Sequence, residues 1–533
     1  MTAPASGAPQ PAPRSRAAGA ALVAAGILLS RILGVVRESF KAKYLGATTG
    51  IAADAFNAAF RIPNLLQSLF GEGALSASFI PVYANLLARR EDEEASRVAG
   101  AVFGLLALIT SVLVALGIVF APALLFAIAP GFRGEKRELT ILLTRILFPS
   151  SGLFVMGAWC LGVLNSHRRF FLSYAAPVAW NVVMIAALWI SRHNPSLNRI
   201  AINLAWASVI GAGMSFLVQL PVVLRLLRGF RVSLDRSSNN VRSVMRNFVP
   251  VFVGRGVVQI SAYIDQFMAS WLPTGMVSLL FYANTIYTLP VSLFGMSVAA
   301  SELPEMASAV GTSEETAGHL RTRLDTGLRH IAFFVVPSAM AFLALGDVIS
   351  AALFQRGRFS ELDTMFTWGI LGGSAVGLLA GTMGRLYSSA YYALKDTRTP
   401  LRFALIRVTL TTMLGYLFAF PLVRMLGVDP RWGAAGLTVS AGIAGWIEFL
   451  LLRSRMNARI GPTGLPIRFV ASLWGAALLG AGAAFALHRA VHISSSILTA
   501  AVVLGLFGVV YFGTALVLGL PEARSVMRRI RRS

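Results

Sequence analysis

About fourteen times along this chain an apolar run of roughly 20 residues closes on a short charged stretch, and that recurrence dictates the solvent. A helix of that length crosses a hydrocarbon layer about 30 Å thick, whereas a barrel strand alternates polar and apolar residues over about 10. With 56% of its 533 residues hydrophobic and 13% charged, the chain carries more apolar surface than a water-soluble globule hides. The reading is an all-α integral membrane protein with helices near 20–40, 51–70, 98–128, 139–163, 172–191, 200–226, 248–271, 276–302, 330–354, 365–392, 401–426, 433–453, 467–488 and 494–519. No soluble domain of any size is left over.

A formal charge of +24 points to nucleic acid in a soluble protein, so its distribution decides what it means here. With the N-terminus inside, about 28 of the 47 Lys and Arg residues fall in cytoplasmic segments and about 12 in external ones, the asymmetry that orients membrane proteins. That places both termini in the cytoplasm, sets 225–247 and the basic 521–533 tail against anionic headgroups, and leaves nucleic acid without a role. Residues 1–16, rich in Pro, Ala and Ser, read as a disordered tail. The apolar run after them continues into Ser30, Arg31 and Arg37 without a cleavage site, so it is a first spanning helix and not a signal peptide. One cysteine, Cys160, and six scattered histidines predict neither an internal disulfide nor a metal site. With no phosphate-cradling loop or nucleophile elbow, no cofactor is expected and the chain does not read as an enzyme.

The two halves echo one another. Asn57, Phe60, Ile62 and Pro63 recur as Asn284, Tyr287, Leu289 and Pro290, each set followed by Leu-Phe-Gly, at 69–71 and 293–295. Pro81 matches Pro304, and Leu164-Asn165-Ser166 before Pro177 matches Tyr387-Ser388-Ser389 before Pro400. An even number of helices per unit makes the repeat parallel, an architecture in which transporters place their substrate between lobes. The expected layout is an N-lobe of six helices over 17–230, a C-lobe of six over 245–455, and two extra helices over 465–520.

Charge at membrane depth costs from a few to over ten kcal/mol per group, so a buried Arg is a functional candidate by default. Arg145, Arg255, Arg385 and Arg407 lie near helix ends, where a long side chain snorkels to the interface; Arg31, Arg37 and Arg61 lie deeper. At 100° per residue Asp54, Asn57, Arg61, Asn64, Ser68 and Glu72 fall within about 80° of one another, so the second helix presents a polar stripe to protein or water, and Pro63 bends it. On the first helix Ser30, Gly34, Arg37 and Lys41 share a face, while Arg31 points with Glu38. The two arginines converge on one ligand only if the helix unwinds near Gly34; otherwise they serve different parts of a large one. Arg255, Gln259 and Gln266 align on the seventh helix, with Asp265 to one side as an ion-pair partner or coupling group. Several guanidinium groups and few carboxylates suit a phosphorylated anion better than a drug-like cation.

The stretches LLSRILGVVRES, ATTGIAADAFNAAFRIPNLLQSLFGEGALSASFIPVY, LFQRGRFS and YYALKDTRTP closely resemble the MurJ (MviN) family of lipid II flippases, and the resemblance covers almost the whole chain. It implies the multidrug/oligosaccharidyl-lipid/polysaccharide (MOP) exporter fold, with two six-helix lobes, a central cationic cavity, and two extra helices forming a groove for a polyprenyl tail. It also implies an inner-membrane protein whose partner is lipid II; a single chain is the expected working unit, on which the sequence itself is silent. Ser30, Arg31 and Arg37 match the family's first-helix arginine pair, and Asp54 and Glu72 its two acidic positions. Two positions depart: Gln67 and Thr285 stand where the family carries cations, and Arg255 or Arg61 is the candidate replacement. Two alternatives stay open beside lipid II translocation. One is another exporter of this fold, moving a polysaccharide-lipid or a drug. The other, an enzyme acting on polyprenyl phosphates, needs clustered acidic metal ligands that the sequence does not offer.

Overall fold

The computed structural model describes residues 13–227, 229–307, 313–491 and 493–530. All regular structure among them is helical: α1 (Pro13–Leu45), α2 (Ala52–Gln67), α3 (Ser76–Ala88), α4 (Asp92–Val119), α5 (Ala121–Ile128), α6 (Gly134–Ser166), α7 (Phe170–Ile190), α8 (Leu197–Leu226), α9 (Asn239–Ala269), α10 (Met276–Pro290), α11 (Ser297–Ala307), α12 (Ser313–Phe354), α13 (Glu361–Ala393), α14 (Arg398–Ala419), α15 (Pro421–Met425), α16 (Gly433–Ile460), α17 (Ile467–Ala490), α18 (Ser496–Val517) and α19 (Pro521–Ile530). Wider π-helical turns, Ser68–Leu75 and Val291–Met296, join α2 to α3 and α10 to α11. Among the described residues eleven helical stretches are long and apolar enough to cross a membrane. The spans expected near 20–40, 51–70 and 248–271 are not among those eleven, although α1, α2 with its π-helical continuation, and α9 run through these positions.

The helices outrun their apolar centres. Where 330–354 was expected, α12 holds 42 residues, because its polar opening, with Glu314, Glu315, Arg321 and Arg323, forms helix as readily in water as the apolar part does in lipid. At 1.5 Å per residue its two arms, which meet at a kink where Leu345 leaves helical geometry with φ −132°, total about 60 Å, twice a hydrocarbon layer. Likewise residues 13–16 of the expected disordered tail already belong to α1, and 521–530 of the basic tail form α19. Residues 1–12 and 531–533 of those two tails lie outside the described residues.

Contacts divide the chain into two compact units. The first runs to Tyr44 and then takes in Ala55–Ala127 and Arg133–Ala262; the second takes Leu45–Asp54, Ile128–Phe132 and everything from Tyr263. In the first, α3, α4 and α6 enclose Phe79, Tyr83, Trp159, Cys160 and Val163, and the Trp159 indole donates to the Ala99 carbonyl at 3.2 Å. The extended stretch 229–238 lies along α4, which offers Gly100 and Gly104 to it. A Cβ at either would stand 2.1 or 2.2 Å from the carbonyl oxygen of Arg231 or Ser233, so only glycine admits the strap. Arg97 fastens it to Asp235 at 2.6 Å, and Ser238 to Glu94 at 2.7 Å.

In the second unit α13 packs between α12 and α16. The helices beyond the sequence repeat, α17 and α18, rest on α12, where the Tyr511 hydroxyl donates to the Phe333 carbonyl at 2.6 Å. The polar stem of α12 is also tied to the end of α16. Arg321 Nη2 donates to the Ile460 carbonyl at 2.7 Å, and the Gly464 N–H donates to Asp325 Oδ1 at 2.9 Å.

Candidate functional site

The first unit gathers its buried charge where α1, α2 and α7 meet. No break occurs in α1 at Gly34, so Arg31 and Arg37, six residues apart, point about 120° away from each other. Arg31 is exposed and Arg37 faces inward. The Arg37 guanidinium donates through Nη2 and Nε to Glu38 Oε1 at 2.6 and 3.1 Å, and through Nη1 to Asn181 Oδ1 at 2.9 Å, with Cζ 4.2 Å from the centre of the Trp180 ring. One turn on, Lys41 pairs with Glu38 Oε2 and donates to Asn57 Oδ1 at 2.8 Å. Phe56, Phe60 and Trp180 stack in succession beside these groups, at 6.0 and 5.9 Å between ring centres. Glu38 offsets one of the two positive charges, and the aromatic faces and amide oxygens hold the cations without offsetting the other.

Of this cluster, Arg37 and Asn57 were legible as site residues, and Lys41 and Glu38 only as residues sharing faces with the arginines. Trp180 and Asn181 were not singled out. The available signal was a lone Asn in the apolar run of α7, four residues after Pro177, whose carbonyl accepts from the Asn181 amide at 3.2 Å. The same amide reaches the Ser30 carbonyl at 3.4 Å, so Ser30 takes part through its backbone.

Asp54 makes its contacts in the second unit. Its carboxylate accepts from the N–H of Gly275 at 2.7 Å and from both the N–H and the hydroxyl of Ser278 at 2.8 Å, which caps the first turn of α10 from 221 residues away. Carboxylate oxygens are the natural partners of the unpaired N–H groups and the positive dipole end found there. Gly275 holds φ +100°, and a Cβ on it would come within 2.6 Å of Thr48, so this turn requires glycine. Thr48 donates through its hydroxyl and its N–H to Asp363 Oδ1 at 2.6 and 3.2 Å, a second fastening of 45–54.

Along α2 the polar stripe passes from buried to open: Asn57 is 1% exposed, Arg61 is half-buried and Asn64 is exposed. Past Gln67 the helix widens into its π-helical segment, so Ser68 and Glu72 leave the register that a regular helix gives them, and the Ser68 hydroxyl turns to the Leu65 carbonyl at 2.9 Å. A single Cys at Asn64 is therefore expected to react with a water-soluble thiol reagent, and one at Asn57 to stay protected by at least about tenfold in rate. Equal labelling of the two would remove this gradient. The side chains of Glu72, Arg255 and Gln259 lie outside the described residues. Asp265 is half-buried, Gln266 beside it is 4% exposed, and the Thr285 hydroxyl bonds back to the Phe281 carbonyl at 3.0 Å.

The sequence model of the family described as lipid II flippase MurJ matches residues 41–508. A Rhizobium meliloti protein described as a probable lipid II flippase MurJ is 32% identical, over 96% of this chain and 96% of its own length. The lipid II flippase MurJ of Burkholderia cenocepacia is 32% identical over 93% and 96%. A solved structure of lipid II flippase MurJ in an inward closed conformation has a TM-score of 0.75 at 23% identity, covering 93% of this chain and 98% of that one. An inward-facing multidrug resistance MATE family transporter of the MOP superfamily reaches 0.63 at 17% identity, over 80% and 95%. At those identities the two structures share the fold.

Proposed function

This chain belongs to the MurJ family of lipid II flippases, and from that premise we propose that it carries its substrate headgroup on the cationic cluster around Arg37. It is a multi-pass inner-membrane transporter of lipid II. The substrate is an undecaprenyl-pyrophosphate-linked peptidoglycan precursor, whose charged headgroup cannot cross some 30 Å of hydrocarbon unaided because desolvating it costs tens of kcal/mol in the idealised limit. The observation that carries the proposal is the Arg37 guanidinium, 13% exposed, held away from bulk water over Trp180. Guanidinium binds phosphate bidentately, and a low dielectric strengthens the interaction. Arg31 points about 120° away and serves another part of the headgroup, together with Arg61 and Asn64 on the open end of the stripe. Asp54 acts as the cap of α10 rather than as a ligand.

The transporter has fourteen spanning helices, two six-helix lobes in parallel repeat, both termini in the cytoplasm, and works as a single chain by alternating access. Supporting the repeat, the Leu-Phe-Gly motif of each half falls in a π-helical segment, Ser68–Leu75 and Val291–Met296. Depletion of the protein is expected to leave lipid II in the inner leaflet, read by leaflet-resolved assay. In the same assay Arg31→Ala is expected to slow translocation about tenfold at equal protein level, the worth of one charge-assisted contact. Unchanged outer-leaflet lipid II on depletion would refute the transport reading.

A further inference from the structure

Lys41 is the most enclosed cation of the cluster. Its side chain is 3% exposed, against 4% for Glu38 and 13% for Arg37. A buried ammonium is costly, and a structural need at this position is met as well by an apolar side chain of similar volume. What surrounds Lys41 is a set of oxygen acceptors, Glu38 Oε2 and Asn57 Oδ1, with the Phe56 ring centre 5.7 Å away. Arg37 and Lys41, one helical turn apart on the same face, both bind the Glu38 carboxylate. Phosphate oxygens are of the same chemical kind as the acceptors in place, and a pyrophosphate diester carries one negative charge on each phosphoryl group, matching one cation each.

We propose that Lys41 is a pyrophosphate-binding residue of this transporter, stored on Glu38 and Asn57 and released to the headgroup once Arg37, at the open edge, has engaged it. The proposal rests on the lipid II reading. In it Glu38 serves as a stand-in for the ligand at Arg37: a phosphoryl group takes the place of its carboxylate there, while Lys41 gives up Asn57 for the second phosphoryl group and stays on as the counter-ion of Glu38. No covalent bond is made or broken, and only ionic and hydrogen-bond partners change.

The test measures affinity of purified full-length protein for lipid II and for undecaprenol, which shares the tail and carries no phosphate, together with translocation in proteoliposomes. Because Lys41→Gln alone leaves the buried Glu38 carboxylate with Arg37 as its remaining cation in the cluster, the deciding comparison is the Glu38→Gln/Lys41→Gln double variant against Glu38→Gln. Both leave a neutral residue at position 38, so they differ only in the cation. The double variant is expected to bind lipid II about tenfold more weakly and to translocate it correspondingly more slowly, with undecaprenol affinity unchanged. Lys41→Arg is expected to stay within about threefold of the unmodified protein. Equal lipid II affinity in the double and the single variant, or equal loss for undecaprenol, overturns the proposal. Failure of the unmodified protein to bind or move lipid II instead overturns the reading beneath it.

Discussion

Arg37→Ala is expected to abolish growth of a flippase-depleted bacterium that depends on this protein, and to lower lipid II translocation in proteoliposomes by at least about a hundredfold. Two terms add. In its proposed role the guanidinium supplies a bidentate, charge-assisted contact in a poorly hydrated site, about 2–3 kcal/mol, which alone is a factor of about 30 to 150. Its loss also leaves Glu38 held by Lys41 without its second cation, so the cluster becomes more negative where an anion must enter. Arg37→Lys restores the charge but neither the fork that spans Glu38 and Asn181 nor the guanidinium contact with the Trp180 ring, and it is expected to recover less than a tenth of the activity. Membrane levels of both variants are expected to match the unmodified protein, since the change leaves the apolar residues of α1 in place. Normal growth of the alanine variant at native expression refutes the assignment of Arg37.

The second large effect falls on Asp54. Asp54→Ala leaves the Gly275 and Ser278 N–H groups unpaired in a buried place, and removes a carboxylate from the positive end of α10. Losing a helix cap costs about 1 kcal/mol, and stranding buried donors about 1–3 more. A local loss of about 3 kcal/mol corresponds to amide hydrogen exchange at Gly275 and Ser278 about a hundredfold faster. Exchange around Arg37 in α1 is expected to be unaltered. Asp54→Asn keeps one oxygen and is expected to fall between. Unchanged exchange at Gly275 and Ser278 in the alanine variant contradicts the capping role, whatever happens to transport.

These two residues also mark how far the sequence could be read. Arg37 was legible because a charge within an apolar run has no cheap explanation, and the helical repeat angle then gathered Lys41 onto its face. Asn57 was legible for the same reason, as a polar residue repeating at helical spacing. Asp54 belonged to the same stripe, yet its partner is the start of a helix 221 residues on, a pairing that the periodicity of one segment does not carry. Trp180 and Asn181 stayed unseen because an aromatic and an amide within an apolar helix are ordinary until their neighbour is known to be a guanidinium. Helix centres were placed well because lipid demands apolar length. Helix ends were not, since nothing in hydropathy tells a charged turn of helix from a charged loop, and α12 is the extreme case.

The long stem of α12 has a mechanical consequence. Its polar end grips the end of α16 and the turn before α17 through Arg321 and Asp325, while its apolar length carries α18 through Phe333 and Tyr511. These attachments fall between Arg321 and Phe333, on one side of the kink at Leu345, so this arm of α12 moves together with what it holds. The last two helices are therefore coupled to that arm: a tilt of it is also a tilt of the surface that α17 and α18 present.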